Sequence, residues 1–261
     1  MYPLHFSRRF TEKVWSLHID TENKTLLIER RNRETMQIWV EIVDLKSTKT
    51  LIEKELTEAE WEFSIAGITK GFIIMSGFDE QSTYTLSGSI AVLHPENFSV
   101  IWRNNQVNLL QIYPDSLLVR ENNSLSDPFY LSIHKGKKIN PANVSLIDKN
   151  TNKYPGQFAE EQPYYTEVKD YIENKTKNSA VGTIEYMEWG AWILISYYIR
   201  NEKGLANFLL LTNRINDIKI IETLDEKLEL PSLNHFFVSE SYLIFVKDKM
   251  EVKVYHQQID Y

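Results

Sequence analysis

A group of strand-like segments recurs along this chain at a constant distance. The pattern begins at Trp15, begins again at Trp61 and begins a third time at Val107, so both spacings are 46 residues. A constant period of about 20 to 50 residues is the signature of a repeat architecture, in which each repeat forms one structural unit. The chain is therefore predicted to fold as an array of similar units.

Each unit contains four apolar runs separated by polar turns. The first unit reads KVWSLHID, KTLLIERR, MQIWVEIVDL and TLIEKEL, and short runs of Val, Ile, Leu and aromatic residues between turn residues are typical of β-strands. The second run of each unit is almost continuously apolar: LLI, FIIM, SLLV, WILI and YLIF. Strands buried on both faces have this composition. The pattern therefore predicts an all-β fold, a β-propeller whose blades pack against one another.

The end of the chain lacks one strand, and the beginning has one to spare. A fourth unit begins at Thr183 and a fifth near His235, but the fifth has only three runs, whereas PLHFSRRF (residues 3–10) precedes the first unit. We expect five four-stranded blades in one domain, closed by this N-terminal strand. The predicted blades are residues 15–56, 61–104, 107–148, 183–225, and 235–256 together with 3–10. A pair of β-sandwiches is the alternative.

The segment 149–180 interrupts the repeat and has a different pattern. Tyr164, Val168, Tyr171 and Ile172 are spaced so that they share one face of a helix, and Pro163 comes just before that face. A short helix flanked by loops is therefore predicted in this insertion. Long insertions on a rigid scaffold often carry function.

Composition excludes several classes of site and partner. The chain has no cysteine, which removes disulfides, thiolate zinc sites and cysteine nucleophiles. A formal net charge of −7 argues against binding to nucleic acid. No apolar run is long enough for a secretory signal or a membrane span. These features predict a soluble, cytoplasmic protein, and the oligomeric state stays open.

Candidate binding residues come from the first run of each unit, which would line the central channel of a propeller. Aromatic rings at a channel mouth can stack on a ligand, and histidines or carboxylates there can bind it. The candidates are Trp15, His18, Trp61, Tyr113, Glu185, Trp189 and His235. No histidine pair has a metal-ligand spacing, and no nucleotide or calcium motif is present, so neither a metal nor a cofactor is expected.

A carbohydrate-active hydrolase is the enzymatic alternative. Such enzymes use two carboxylates that face one cleft. Glu185 and Glu188 cannot form that pair, because residues three apart on one strand point to opposite faces. A partner carboxylate would have to come from Asp20, Glu62 or Asp115. Enzymatic activity is therefore left uncertain, and a non-catalytic role is favoured.

The blade hairpin GSIAVLHPENFSVIW resembles the blade ends of quinoprotein-like repeats. Over most of the chain, outside residues 149–180, the units resemble irregular, non-WD β-propeller proteins of bacteria that have no known function. The quinone-docking tryptophan signature and its calcium ligands are not recognisable, so the resemblance implies a fold without a cofactor. We expect a scaffold that binds a protein or a small ligand through one end of its channel and the insertion.

Overall fold

The computed structural model describes residues 4–56, 61–79, 87–122, 126–144, 152–202, 204–214, 219–229 and 235–257. The chain divides into two compact units. One, called the N-terminal unit, comprises Glu12–Thr151, and the other, called the C-terminal unit, comprises Met1–Thr11 and Asn152–Tyr261.

The described residues form strands joined by short turns, with one α-helix. In chain order the elements are β1 (Leu4–Arg9), β2 (Lys13–Asp20), β3 (Thr25–Asn32), β4 (Gln37–Asp44), β5 (Thr50–Leu56), β6 (Phe63–Thr69), β7 (Phe72–Asp79), β8 (Ser87–Leu93), β9 (Val100–Asn104), β10 (Val107–Ile112), β11 (Ser116–Glu121), β12 (Phe129–Ser132), β13 (Lys138–Ile139), β14 (Asn152–Lys153), β15 (Gly156–Phe158), α1 (Tyr165–Thr176), β16 (Val181–Trp189), β17 (Trp192–Asn201), β18 (Gly204–Asn213), β19 (Lys219–Leu228), β20 (Phe236–Ser239), β21 (Tyr242–Lys247) and β22 (Glu251–His256). A 3-10 turn spans Pro141–Asn143. The all-β prediction is confirmed.

The N-terminal unit contains three four-stranded antiparallel sheets. Their orders are β2-β3-β4-β5, β6-β7-β8-β9 and β10-β11-β12-β13. Each strand pairs with the next one along the chain, which is the strand order of a propeller blade. The second strand of each sheet is largely buried, as its apolar composition predicts, with Leu27, Ile74 and Leu117 fully inaccessible to solvent.

The C-terminal unit contains two five-stranded sheets. Their orders are β15-β16-β17-β18-β19 and β1-β22-β21-β20-β14. The N-terminal strand β1 pairs with the last strand β22, with Phe6 opposite Val254 and Arg9 opposite Glu251. The segment PLHFSRRF therefore lies in the same sheet as the final three runs of the chain. Closure of five blades into a ring, in one domain, remains a prediction.

The insertion contributes two short strands in addition to the predicted helix. The sequence analysis did not predict these strands. Strand β14 pairs with β20, and β15 pairs with β16. Runs of two or three residues are too short to show a strand period, so the pattern gave no sign of them. As a result, β16 and β20 each have a neighbour on both sides. Two sheets therefore have five strands instead of the predicted four.

The predicted helix is confirmed as α1, with one correction to its buried face. Tyr165 and Ile172 are buried, and Val168 and Tyr171 pack against the same cluster. Tyr164, which the spacing placed on this face, precedes the helix with a left-handed φ of 70° and is 65% exposed. The left-handed turn directs Tyr165 inward instead. Within the described ranges, no helix is long and apolar enough to cross a membrane.

Candidate functional site

Three of the predicted site residues in the N-terminal unit gather around one buried arginine. The guanidinium of Arg31 on β3 lies 4.8 Å from the ring centroid of Trp15 and 5.1 Å from that of Trp61. His18 joins the same group through Ser16, whose hydroxyl is 3.1 Å from His18 Nε2. Arg31 was not a sequence candidate, because a cation on a strand normally indicates a solvent-facing position.

Arg31 and Glu29 form a buried ion pair with a full set of hydrogen bonds. Arg31 Nε donates to Glu29 Oε1 at 2.7 Å, and the other guanidinium nitrogens donate to the backbone carbonyls of Trp61 and Phe63. Glu29 Oε2 also accepts from Ser16 Oγ at 2.6 Å and from the Ile65 backbone N–H at 3.2 Å. The pair therefore joins β3 to the start of the next sheet. Its role is structural.

His18 makes the stability of the N-terminal unit depend on pH. Burial lowers the pKa of His18 from 6.5 to about 4, and a hydrogen bond with the Ile65 backbone opposes only part of that shift. The unfolded chain therefore binds a proton that the folded chain does not, between about pH 6.5 and 4, and stability falls as pH decreases. Between about pH 7 and 4.5 we expect the free energy of unfolding of the unmodified protein to fall by an amount on the order of 2 kcal/mol, and we expect the His18→Gln variant not to show this decrease. Urea denaturation midpoints of the unmodified protein and the variant at the two pH values measure the decrease. Parallel pH profiles of the two proteins would contradict the prediction.

Two predicted aromatic residues lie in other surroundings. Tyr113 donates its hydroxyl to Gln111 Oε1 at 3.0 Å, and its ring centroid lies 5.8 Å from that of Tyr130. Trp189, in the C-terminal unit, is 8% exposed and donates Nε1 to the Glu240 carbonyl. In the N-terminal unit the structure thus brings Trp15 and Trp61 together and places Tyr113 apart from them.

The remaining two candidates, Glu185 and His235, belong to one polar network in the C-terminal unit. Glu185 Oε2 accepts from His235 Nδ1 at 2.7 Å, and His235 Nε2 lies 2.8 Å from the Tyr198 hydroxyl. Ser196 Oγ is 3.2 Å from His235 Nδ1 and also bonds Asn207. A carboxylate and a hydroxyl on either side of a histidine can activate a nucleophile. Here the hydroxyl at Nε2 belongs to the 2% exposed Tyr198, so no substrate can reach it.

Most of the carboxylates considered for a hydrolase make other contacts, and the remaining one is exposed. Glu188 points away from the buried Glu185, as predicted, and pairs with Arg214 at the surface. Asp20 caps its own turn and accepts from the Gly71 backbone N–H at 2.8 Å, while Asp115 pairs with Lys70. Glu62 is exposed. Among the described residues, no group of three metal-ligating side chains is present.

A cavity of about 390 Å³ lies between α1 and the sheet that contains β15, β16 and β17. We call it the helix cavity; its lining residues are Phe158, Tyr164, Glu167, Val168, Tyr171, Tyr186, Ile193 and Ile195. Half of these residues are aromatic, and Glu167 is the one that carries a charge. Cavities of this size with apolar walls and few polar groups are typical of small-molecule sites.

Hydrogen bonds hold two of the cavity's rings in place. The Tyr171 hydroxyl lies 2.7 Å from Thr212 Oγ1 on β18, which ties the helix to the sheet. Tyr186 donates its hydroxyl to Glu188 Oε1 at 2.8 Å. Burial and this carboxylate raise the pKa of the Tyr186 phenol, so it stays protonated at neutral pH. The cavity is thus largely preformed.

The sequence analysis identified the helix but not the cavity. Tyr164, Val168 and Tyr171 were recognised for their helical spacing, whereas Phe158, Tyr186 and the two isoleucines come from three separate strands. Nothing in the linear spacing of those strand residues indicates that their side chains meet. The useful signal was the insertion itself, because five of the described residues that line the cavity come from it.

Comparisons with known proteins give a partial match to a family of unknown function and low-identity matches to solved structures. Residues 19–106 match a domain of unknown function (DUF4905). The β-propeller domain of the Trilobed protease from Pyrococcus furiosus is 11% identical over 96% of this chain and 81% of that chain, with a TM-score of 0.34. The Dos1 propeller is 10% identical over 93% of this chain and 67% of that chain, with a TM-score of 0.34.

A third solved structure is much longer than this chain. Pyrococcus horikoshii acylaminoacyl peptidase is 10% identical over 91% of this chain, with a TM-score of 0.31, but this chain spans only 36% of that one. No curated protein sequence matches the chain. The resemblance to quinoprotein-like and bacterial propellers therefore stays a prediction. This is an all-β chain with blade-like sheets, and residues 19–106 match a family of unknown function.

Proposed function

We propose that this protein is a non-catalytic binding module and that the helix cavity is its ligand site. The observation that carries the proposal is a preformed space of about 390 Å³ walled by aromatic and aliphatic side chains beneath the inserted helix. Burial of apolar ligand surface against such walls is favourable by about 25 cal/mol per Å². The ligand is a small molecule with an apolar body, since the volume lies at the lower end of the range for such sites.

The cavity gives no support to a hydrolase. Glycosidases place two carboxyl groups about 5 to 10 Å apart across a cleft, and Glu167 is the single carboxylate among the described lining residues. Glu185 is closed in by His235, as described above. The proposed site includes the insertion, as expected, together with Tyr186 of β16 and two isoleucines of β17, but none of the seven candidate residues is among its described lining residues.

Benzyl alcohol is a suitable neutral probe of this proposal. We expect saturable binding with a Kd in the range of about 1 to 10 mM, which is typical of a ligand with so few atoms. Val168→Trp places an indole ring in the helix cavity and should abolish binding, as measured by NMR shift titration. Leu51→Trp adds the same ring at an exposed position of the N-terminal unit and should leave binding unchanged. No saturable binding, or equal loss in both variants, would overturn the proposal.

A further inference from the structure

We infer that the natural ligand of the helix cavity is a small organic cation with a methylated ammonium head. This inference rests on the proposed function and adds the chemical class of the ligand. It follows from three properties of the residues described around the cavity, namely their aromatic rings, their one carboxylate and the aliphatic floor that Ile193 and Ile195 form.

The walls carry four aromatic rings around one space. Phe158 and Tyr186 meet at a centroid distance of 6.2 Å with their planes at 76°, so they present faces in different directions. Tyr164 and Tyr171 line the same cavity from the start and middle of the helical segment. The face of an aromatic ring is electronegative and attracts a cation within about 6 Å of its centroid. Several aromatic rings around one space offer faces that can surround a cationic head.

Hydrogen bonds prepare two of these rings for a ligand. Tyr186 donates its hydroxyl to the Glu188 carboxylate, which increases the electron density of the phenol ring. The Tyr171 hydroxyl lies 2.7 Å from Thr212 Oγ1, but Lys175 Nζ lies 5.9 Å from the centroid of this ring, so the cationic head is assigned to the other three rings. The hydrogen bonds of both hydroxyls fix the rings before a ligand arrives, which reduces the entropy lost on binding.

The one charged residue among the described lining residues is acidic. The Glu167 side chain is exposed and makes no hydrogen bond or ion pair with any residue in the described ranges. Residues 158–177 contain five acidic residues and three lysines, and the whole chain has a formal net charge of −7. A carboxylate beside aromatic faces adds direct attraction for a positively charged ligand. An anionic ligand would meet repulsion instead.

The aliphatic residues of the cavity favour a methylated ammonium over a primary one. Ile193 and Ile195 lie at the base of the cavity and are 8% and 0% exposed. A primary ammonium needs three hydrogen bonds and is strongly hydrated, so it is costly to bury there. Methyl groups replace those N–H donors in a quaternary ammonium, and cages of aromatic rings are known to recognise this group. Methylated ammonium therefore fits both the rings and the floor.

Choline and 3,3-dimethyl-1-butanol provide the test, because they have the same shape and differ in charge. We expect choline to bind the unmodified protein at least about tenfold more tightly than the neutral alcohol, in line with cation–π and charge attraction. Titrations followed by NMR or calorimetry measure both. Equal affinities overturn the cationic class but leave the binding module intact if benzyl alcohol binds. If none of the three probes binds, both proposals fail.

Substitutions of two lining residues test which side chains attract the cationic ligand. Tyr164→Leu should weaken choline binding about 3- to 30-fold and change binding of the neutral alcohol less than about threefold. Glu167→Gln should weaken choline binding about 3- to 10-fold with the same selectivity. Tyr154→Leu and Glu161→Gln are matched controls at exposed positions outside the cavity lining and should change neither. Loss of choline binding in the controls as well would contradict the assignment.

Discussion

Replacing Arg31 with methionine is expected to lower the free energy of unfolding by about 3 to 5 kcal/mol. The guanidinium is buried, pairs with the fully buried Glu29, and donates to the backbone carbonyls of Trp61 and Phe63. Removing it leaves Glu29 as an unpaired buried charge and leaves two carbonyls without donors. Methionine keeps much of the side-chain volume, so the loss reports mainly on the polar contacts. Urea denaturation of the full chain measures the change.

A double-mutant cycle separates the ion pair from packing. Glu29→Met alone should be comparably destabilising, whereas the double variant should be less destabilised than the sum of the two, because neither charge is then left unpaired. Arg9→Met is the control, since Arg9 pairs with Asp248 and Glu251 at the surface and its loss should cost less than about 1 kcal/mol. Additive effects of the two substitutions would contradict the pairing described here.

Replacing Phe6 with alanine is expected to destabilise the protein by about 3 to 5 kcal/mol. Phe6 lies on β1, is 6% exposed, and faces Val254 across the pairing of β1 with β22. The substitution removes a large buried ring from the strand that covers the last sheet's edge. An uncovered edge strand can pair with other chains, so we also expect increased self-association. Denaturation and light scattering measure the two effects.

Leu4→Ala provides the control on the same strand. Leu4 is 46% exposed, and its truncation should change stability by less than about 1 kcal/mol. Equal small effects of both substitutions would show that β1 contributes little to the C-terminal unit. That result would also weaken the prediction that the N-terminal strand closes a ring of five blades.

The repeat could be predicted from the sequence because its cause is local. The strand formed by the second run of each repeat is largely buried, so residues such as Leu27, Ile74 and Leu194 form continuous apolar runs that are visible without a structure. The pairing of β1 with β22 could also be anticipated, because the last unit lacked a strand and the first residues carried one. Both inferences depend on composition and strand order, not on side-chain contacts.

The candidate site could be predicted only in part, because it depends on contacts between distant segments. The spacing of Val168 and Tyr171 indicated the helix, but the left-handed turn at Tyr164 is a backbone feature that spacing does not reveal. The short strand that carries Phe158 shows no period, and Tyr186 lies among other aromatic strand residues. The burial of Arg31 and Glu29 also escapes sequence analysis, because their partners Trp61, Phe63 and Ile65 lie 30 or more residues further along the chain.

The central claim is that the helix cavity is the ligand site, and an NMR measurement of bound benzyl alcohol tests it most directly. Intermolecular NOEs report protons that lie close to the probe. We predict NOEs from the probe's ring protons to the methyl groups of Ile193 and Ile195 and to the rings of Tyr171 and Tyr186. Saturable binding with NOEs confined to residues outside the helix cavity would contradict the account.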